Sequence, residues 1–330
     1  MHAAGRRSVA HWIARRVALT TFTIAAALAV TFALLSLAPG DPLALALDSR
    51  ELPAEALARL RAVYALDQPP LTRFLTWCGA LLRGDLGWSL ARQEPVRDVL
   101  RGALPNTLVL CGLAGLLAFA LGSALGAWQG AHAHSRRDHA SSLISLGLYA
   151  IPEFVLALLL LLVFAWRLRW FPAGGVTGDF ATYLGTAARL RDRLQHLVLP
   201  VGTLALIACA VVSRYQRAAM IDAVREPFVR AARARGATER RVLVRHAWRA
   251  ALSPLVTLLG LYLPVLVGGS LFVERVFAWP GMGSALADAV LARDYPVVLA
   301  IVAIGSAATA LGALVSDLLH PLSDPRVAQA

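Results

Sequence analysis

The chain has no lysine: every one of its 32 basic residues is arginine. That excludes one class of activity. A nucleotide-cradling Gly-x-x-x-x-Gly-Lys-[Ser/Thr] loop needs its lysine on the phosphates, so any work drawn from ATP must come from another subunit. Cysteine is scarce. Cys78, Cys111 and Cys209 are scattered without metal-ligand spacing, and all three read as structural. His-Glu-x-x-His, a nucleophile elbow and Cys-x-x-Cys are all missing. No catalytic residue and no metal site is therefore assigned, and a membrane enzyme is disfavoured. His132, His134 and His139 share a short loop, which reads as solvated surface rather than a metal site. Acids are also few, 20 against 32 bases, for a net charge of +12.

Apolar residues dominate what is present. They make up 58% of the 330 residues, with a mean hydropathy of +0.63, well above the ~45–50% apolar content of soluble domains. The length would otherwise allow roughly one to three soluble domains. The pattern predicts instead one all-α integral membrane domain over 1–330. It has six transmembrane helices, at about 17–38, 106–128, 141–166, 196–213, 252–273 and 297–319, each of a length that crosses a ~30 Å hydrocarbon layer. Arg6, Arg7, Arg15 and Arg16 precede the first run, which outlasts the ~7–15-residue core of a signal peptide and reads as a retained span.

Pro39-Gly40-Asp41-Pro42 closes that span. Residues 39–105 then form a polar section, read as a small helical cap on the external side. Within it Leu57, Leu60 and Tyr64 share a helical face after Pro53. Leu71, Phe74, Leu75, Leu81 and Leu82 repeat the pattern, and Gly84 follows. Gly112, Gly115, Gly122 and Gly126 in the second span read as helix-packing positions, and Trp166 and Trp170 suit the interfacial aromatic belt. A second external loop covers 167–195, broken by Pro172, Gly174, Gly175 and Gly178. The segments expected inside carry 16 arginines and the two short external loops seven. Cytoplasmic loops collect such charge, so both termini are placed in the cytoplasm. Because the cations lie between spanning segments, they read as topology signals and contacts to membrane lipid, not as a nucleic-acid surface.

The densest charge lies in 214–251, between the fourth and fifth spans. Ten arginines between Arg214 and Arg249 face three acids, Asp222, Glu226 and Glu239. Alanines 231, 232 and 234 favour a short helix, and Gly236 is placed to end it in a left-handed conformation. A second helix then runs from Ala237 towards the fifth span. Two readings stand side by side on these residues: a rigid lever for a moving partner, or a solvated basic loop on anionic lipid headgroups.

Phe228-Val229-Arg230-Ala231-Ala232-Arg233-Ala234-Arg235-Gly236 and His246-Ala247-Trp248-Arg249-Ala250-Ala251-Leu252-Ser253-Pro254 resemble the cytoplasmic loop of the inner-membrane permeases of ABC importers. The likeness is greatest to the dipeptide/oligopeptide/nickel branch. Similar stretches follow the same order along nearly the whole chain. They are Leu66-Asp67-Gln68-Pro69 with Gly84-Asp85-Leu86-Gly87, then Phe171-Pro172-Ala173-Gly174-Gly175, then Glu274-Arg275-Val276-Phe277-Ala278-Trp279-Pro280-Gly281-Met282-Gly283 with Arg293-Asp294-Tyr295-Pro296. The resemblance implies one half of a translocation pathway for di- or oligopeptides, in a bacterial plasma (inner) membrane. It implies pairing with a second, related permease, two cytoplasmic ATPase subunits that bind ATP and magnesium, and an external solute-binding protein. No cofactor is expected in this chain. Phe228, Ala231, Ala232, Arg235 and Gly236 match the ATPase-coupling positions. Arg230 stands where the wider importer family often has glutamate, and the peptide branch commonly lacks that glutamate. Nickel or another small solute is the alternative cargo.

Charges inside spans are costly and usually face a cavity. Glu153, after Pro152, is therefore a candidate for the translocation path, with Asn106, Thr203, Ser213 and Thr257 as neutral polar candidates for the same cavity. The alternative for Glu153 is a hydrogen bond between helices. An ion-coupled secondary transporter would show inverted repeats and paired acids; neither is visible, and Glu153 stands alone, Asp317 lying at the end of the sixth span.

Overall fold

The computed structural model describes residues 2–37 and 67–323. The helical face expected at Leu57, Leu60 and Tyr64, the Pro39–Pro42 stop and the tail beyond 323 lie outside the described residues.

Among the described residues the architecture is helical apart from one two-residue hairpin, β1 (Trp88–Ser89) paired antiparallel with β2 (Glu94–Pro95). The helices are α1 (His2–Leu37), α2 (Pro70–Leu82), α3 (Val96–Ala131), α4 (Arg136–Ala150), α5 (Glu153–Leu160, continued by a wider turn over Leu161–Arg167) and α6 (Thr186–Arg225). They continue as α7 (Pro227–Ala234), α8 (Glu239–Arg241, Val242–Ala247 and Trp248–Ala250 in succession), α9 (Ser253–Gly268), α10 (Leu271–Val276), α11 (Met282–Leu291) and α12 (Tyr295–Ser323). Among the described residues five helical segments are long and apolar enough to cross a membrane, six if the bent pair α4–α5 counts as one. Leu116, Leu143, Leu162 and Leu261 point outward from separate helices, as lipid-facing surface would.

Hydropathy marked the lipid-length runs more narrowly than the helices extend. The second span was expected from 106, but α3 starts at Val96. Its charged first turns carry Val96, Val99, Leu100 and Ala103 on one face, and these pack on Met282, Ala285 and Val298. The fourth span was expected to stop at Ser213, but α6 runs to Arg225. Residues 214–225, expected in the loop, bury Gln216, Met220 and Ala223 instead, and the helix stops where Glu226 is forced into an extended conformation before Pro227. The third span was expected as one helix over 141–166. It is two helices meeting at 102°, because Ile151 takes an extended ψ before Pro152. The fifth breaks at Gly269, whose φ of +73° ends α9, and restarts as α10 under an N-cap from the Ser270 side chain.

Small residues set the closest helix contacts. Gly122, Gly126 and Gly130, four apart on α3, lie against α6. A Cβ at Gly122 would sit 2.8 Å from Val212 Cβ, one at Gly130 2.6 Å from Met220 Cβ, and one at Gly126 would meet the Ser213 carbonyl. Gly260 and Gly312 bring α9 and α12 together in the same way. Gly115 makes room for the Tyr262 ring, whereas Gly112 has ordinary clearance. At the edge, Leu28 and Phe32 of α1 pack on Leu299 of α12 and on Phe74, Trp77 and Leu81 of α2. Leu71, Leu75 and Leu82 lie on the exposed side of α2.

Candidate functional sites at the two ends of the bundle

One end of α3 carries the arginine-rich segment. Here α7 and α8 form a helix–glycine–helix unit. Gly236 takes φ +79°, and the amide of Ala237 reaches back to the Ala232 carbonyl at 3.2 Å. Val229 and Ala232 are buried among Met220, Ala223, Val242, Ala247 and Ala251. The opposite face of α7 shows Phe228, Arg230, Ala231, Arg235 and Gly236 to the outside. Of the five residues singled out in sequence, four therefore share an open surface, and Ala232 instead holds the helix to the bundle. Arg233 forks onto Glu239 at 3.1 and 2.8 Å. This lowers the Glu239 carboxyl below its ordinary value and raises the Arg233 guanidinium.

Beneath this unit lies an ion pair that sequence reading passed over. Asp138, fully buried, accepts two bonds from Arg217 of α6 at 2.7 and 2.8 Å. It also accepts from the His134 amide at 2.9 Å and the Ser142 hydroxyl at 3.2 Å. Ser135 caps α4 by accepting from the Asp138 amide at 3.1 Å. The signal was available as Ser135-x-x-Asp138, a helix-start signature.

At the other end of α3, the separated stretches that carry the family likeness come together. Gly175 donates its amide to Phe277 O at 2.8 Å. Asp294 accepts from Ser89 Oγ at 2.5 Å and from the Ala91 amide at 3.2 Å, fastening the hairpin to the start of α12. Gly87 lies against Pro296. The centre of this assembly is Glu274, fully buried. Its carboxylate accepts from Thr107 Oγ1 at 3.0 Å, from the Ser284 amide at 2.8 Å, and from the amides of Gly283 and Ser270. A Cβ at Gly281 would come 2.5 Å from the Glu274 carboxyl carbon, so the Trp-Pro-Gly-Met-Gly turn is glycine-rich because it wraps a carboxylate. Glu274 falls just past the expected fifth span at 252–273 and lies on α10. Its signal was an acid abutting the apolar run Leu271-Phe272-Val273.

Glu153 also meets this assembly: its carboxylate is hydrogen-bonded to Ser270 Oγ. The breaks in the third and fifth segments thus touch, and Glu153 does not stand alone as expected, since Ser270 links it to Glu274. Asn106 lies nearby. Its Nδ2 donates to Pro280 O at 2.9 Å, and its own carbonyl accepts the Trp279 indole N–H at 3.1 Å. The remaining polar candidates do not join them. Thr203 is fully buried and donates to Leu199 O within its own helix at 2.9 Å. Ser213 is fully buried against Ala210 O at 3.0 Å and Ser145 Oγ at 3.5 Å. Thr257 is exposed on α9. The expected single polar cavity is therefore replaced by a chain running Asn106, Thr107, Glu274, Ser270, Glu153.

Above that chain opens a cleft of about 560 Å³ between α3 and the α10–α11 segment. Asp98, Gly102 and Asn106 line one wall, and Arg275, Ser284 and Asp288 the other. Asp288 is shared by Arg275 at 2.7 Å and Arg92 at 3.5 Å.

Residues 96–329 match the family described as binding-protein-dependent transport system inner membrane component. The chain is 35% identical over 320 residues to the oligopeptide transport system permease protein AppB of Bacillus subtilis, covering 97% of this chain and 99% of that one. It is 35% identical over 333 residues to the di/tripeptide transport system permease protein DppB of Pseudomonas aeruginosa, covering 96% and 98%. Against the oligopeptide transport system permease protein OppB of Mycobacterium tuberculosis it is 36% identical over 324 residues, again covering 96% and 98%.

Proposed function

The chain belongs to the inner-membrane components of binding-protein-dependent transport systems, and from that premise we propose that it forms half of a peptide import pathway driven by separate ATPase subunits. It is a multi-pass transport subunit of an ABC permease system, and its described residues form an all-α membrane protein. Peptide is the proposed cargo because the relatives along nearly its whole length are named as oligopeptide or di/tripeptide permeases. Hydrolysis of ATP with magnesium falls to two ATPase partners, since the chain lacks a P-loop lysine. A second related permease completes the pathway, and a solute-binding protein delivers cargo at the α11 end. The α7 end, with both termini, lies in the cytoplasm, where arginine collects.

One observation carries the coupling role. α7 is fastened to the bundle through Val229 and Ala232 and offers a separate open face of Phe228, Ala231, Arg235 and Gly236. A helix anchored on one side and open on the other transmits a push from a partner seated on it. The pathway proposal rests on Asn106 and Glu153, joined by the Glu274 chain. Thr203 and Ser213 serve packing, and Thr257 lies apart.

The test is ATP-dependent uptake of a labelled peptide by vesicles holding the full complex with its binding protein. Gly236→Pro, which cannot adopt the left-handed conformation found there, is expected to abolish uptake while the chain still inserts. Normal uptake by that variant would refute the coupling role.

A further inference from the structure

We propose that the groove between the end of α3 and α8 holds an acyl chain of an anionic phospholipid from the leaflet at the α7 end, with its phosphate on the arginines of α8. The inference rests on the membrane-spanning fold and is independent of the cargo.

The charge comes from α8. Val242 and Ala247 hold this helix to the bundle. The turn over Val242–Ala247 is wider than an α-helical one. In that wider repeat, residues four apart stay close to one line. Arg240, Val244 and Trp248 form one such line, and Arg241, Arg245 and Arg249 the next. All four of Arg240, Arg241, Arg245 and Arg249 are exposed. None makes an ion pair among the described residues, the neighbouring Glu239 being taken by Arg233. Arginine offers a planar fork that matches phosphate oxygens, and basic pockets between helices at the cytoplasmic face take up acidic headgroups.

The apolar part lies directly beside these cations. The groove has a volume of about 260 Å³ and is lined by Ala124 and Trp128 of α3, Met220 of α6, and Leu243, Val244 and Trp248 of α8. Ala124 and Trp128 also belong to a longer stripe. Leu117, Leu121, Ala124 and Trp128 are all exposed on α3, and their spacings of four, three and four put them on one face. From Leu117 to Trp128 the stripe runs about 16 Å at 1.5 Å per residue, close to half of the ~30 Å hydrocarbon layer. One acyl chain of a single leaflet covers that length. Trp128 and Trp248 stand at its end, and tryptophan is the residue type that gathers at the boundary between lipid and water. The stripe lies within a helix that crosses the membrane, where a soluble subunit does not reach. An apolar track ending at four unpaired cations fits an occupant with an apolar body and an anionic head.

The experiment uses the complete complex in nanodiscs of phosphatidylcholine. A trace of lipid with a photoreactive group on its acyl chain is added, as phosphatidylglycerol or as phosphatidylcholine. After irradiation the labelled segments are read by mass spectrometry. Phosphatidylglycerol is expected to mark residues 117–128 and 243–248 about tenfold or more above phosphatidylcholine. Each arginine near the surface contributes about fivefold. Arg241→Gln together with Arg245→Gln is therefore expected to bring phosphatidylglycerol down to the phosphatidylcholine level and to leave phosphatidylcholine unchanged. Ala124→Trp fills the groove and is expected to lower labelling of 243–248 by both lipids. Labelling at Leu311, exposed on α12, should stay constant in every variant, which separates these losses from misfolding. Equal marking by the two lipids in the wild-type complex would overturn the site. So would a phosphatidylglycerol excess that survives the arginine changes, or labelling of 243–248 that ignores Ala124→Trp. Absence of label at both segments would overturn it as well, and a cross-link from Val244→Cys to an ATPase or second permease subunit would then assign the groove to protein.

Discussion

Two buried acids, Asp138 and Glu274, organise the opposite ends of α3, and each makes a separate prediction. Replacing Glu274 by Gln turns one acceptor oxygen towards donors as an NH₂ group, against amides at Ser284, Gly283 and Ser270. A buried donor left unsatisfied costs about 1–3 kcal/mol. Glu274→Gln is therefore expected to lower the thermal midpoint of the detergent-solubilised complex, and an unchanged midpoint would show that the carboxylate is not the clasp of that turn. Asp138→Asn strands Arg217 and should cost on the order of 3 kcal/mol, as removal of one partner from a buried pair does. The double variant with Arg217→Met should recover part of that loss; a double variant worse than the single would count against the pair. The Arg233–Glu239 pair is exposed and worth less, about 0–1 kcal/mol. Since Arg233 lowers the Glu239 carboxyl, its contribution is present above the ordinary carboxylate range and is lost as pH falls through the lowered value. A titration of the Glu239 carboxyl by NMR should shift upward in Arg233→Gln, and an unshifted curve would show that the contact does not persist in solution. At this scale, lack of lysine and catalytic motifs was plain in sequence. Partners were not: Glu153 and Ser270 are 117 positions apart and Asp138 and Arg217 are 79 apart, and no local pattern joins them.

At the scale of elements, apolar runs located the spans and misplaced their ends. A hydropathy window sees where lipid is, whereas α3 and α6 continue past the apolar stretch because amphipathic turns such as Val96-x-x-Val99-Leu100 still have a face to bury. The Pro152 break in the third segment was visible as a residue but not as a 102° bend, since a proline inside a helix can also be accommodated, as Pro105, Pro200 and Pro264 are. The helix–glycine–helix unit at 227–250 was legible because its punctuation is local: Pro227 at the start and Gly236 at φ +79° after the first helix. The glycine stripe of α3 gives a further prediction. Gly126→Leu must push α6 away from the Ser213 carbonyl, and overpacking of that kind costs typically 1–3 kcal/mol or more. Reduced amounts of folded chain in the membrane are expected, whereas Gly102→Leu, which has open space around it, should accumulate normally. Equal accumulation of both variants would contradict the close α3–α6 packing.

The whole molecule has two working ends joined by α3 and α6. One end gathers four separated stretches, joined through Gly175 to Phe277 and Gly87 to Pro296 beside the buried Glu274, and opens the charged cleft; the other presents α7. Family membership was readable from the order of those stretches, yet their contacts were not: Gly281 and Gly283 close on the Glu274 carboxylate, Gly174 on the Phe277 carbonyl and Gly87 on Pro296 only once the chain is folded. The open face of α7, the one proposed for coupling, could not be told from its buried face in sequence, since Ala231 is exposed and Ala232 buried although they are adjacent. That difference supplies the most direct test of the central proposal. In a chain whose Cys78, Cys111 and Cys209 have been replaced, a single cysteine is placed at Ala231 or at Val229, and short bifunctional cross-linking is carried out in the assembled, transporting complex. A helix seated in an ATPase groove predicts a cross-link from position 231 to the ATPase subunit, one that changes in yield when ATP is trapped, and none from position 229. Labelling of position 231 by lipid-phase reagents with no ATPase adduct would contradict the account and leave α7 as a membrane-surface helix.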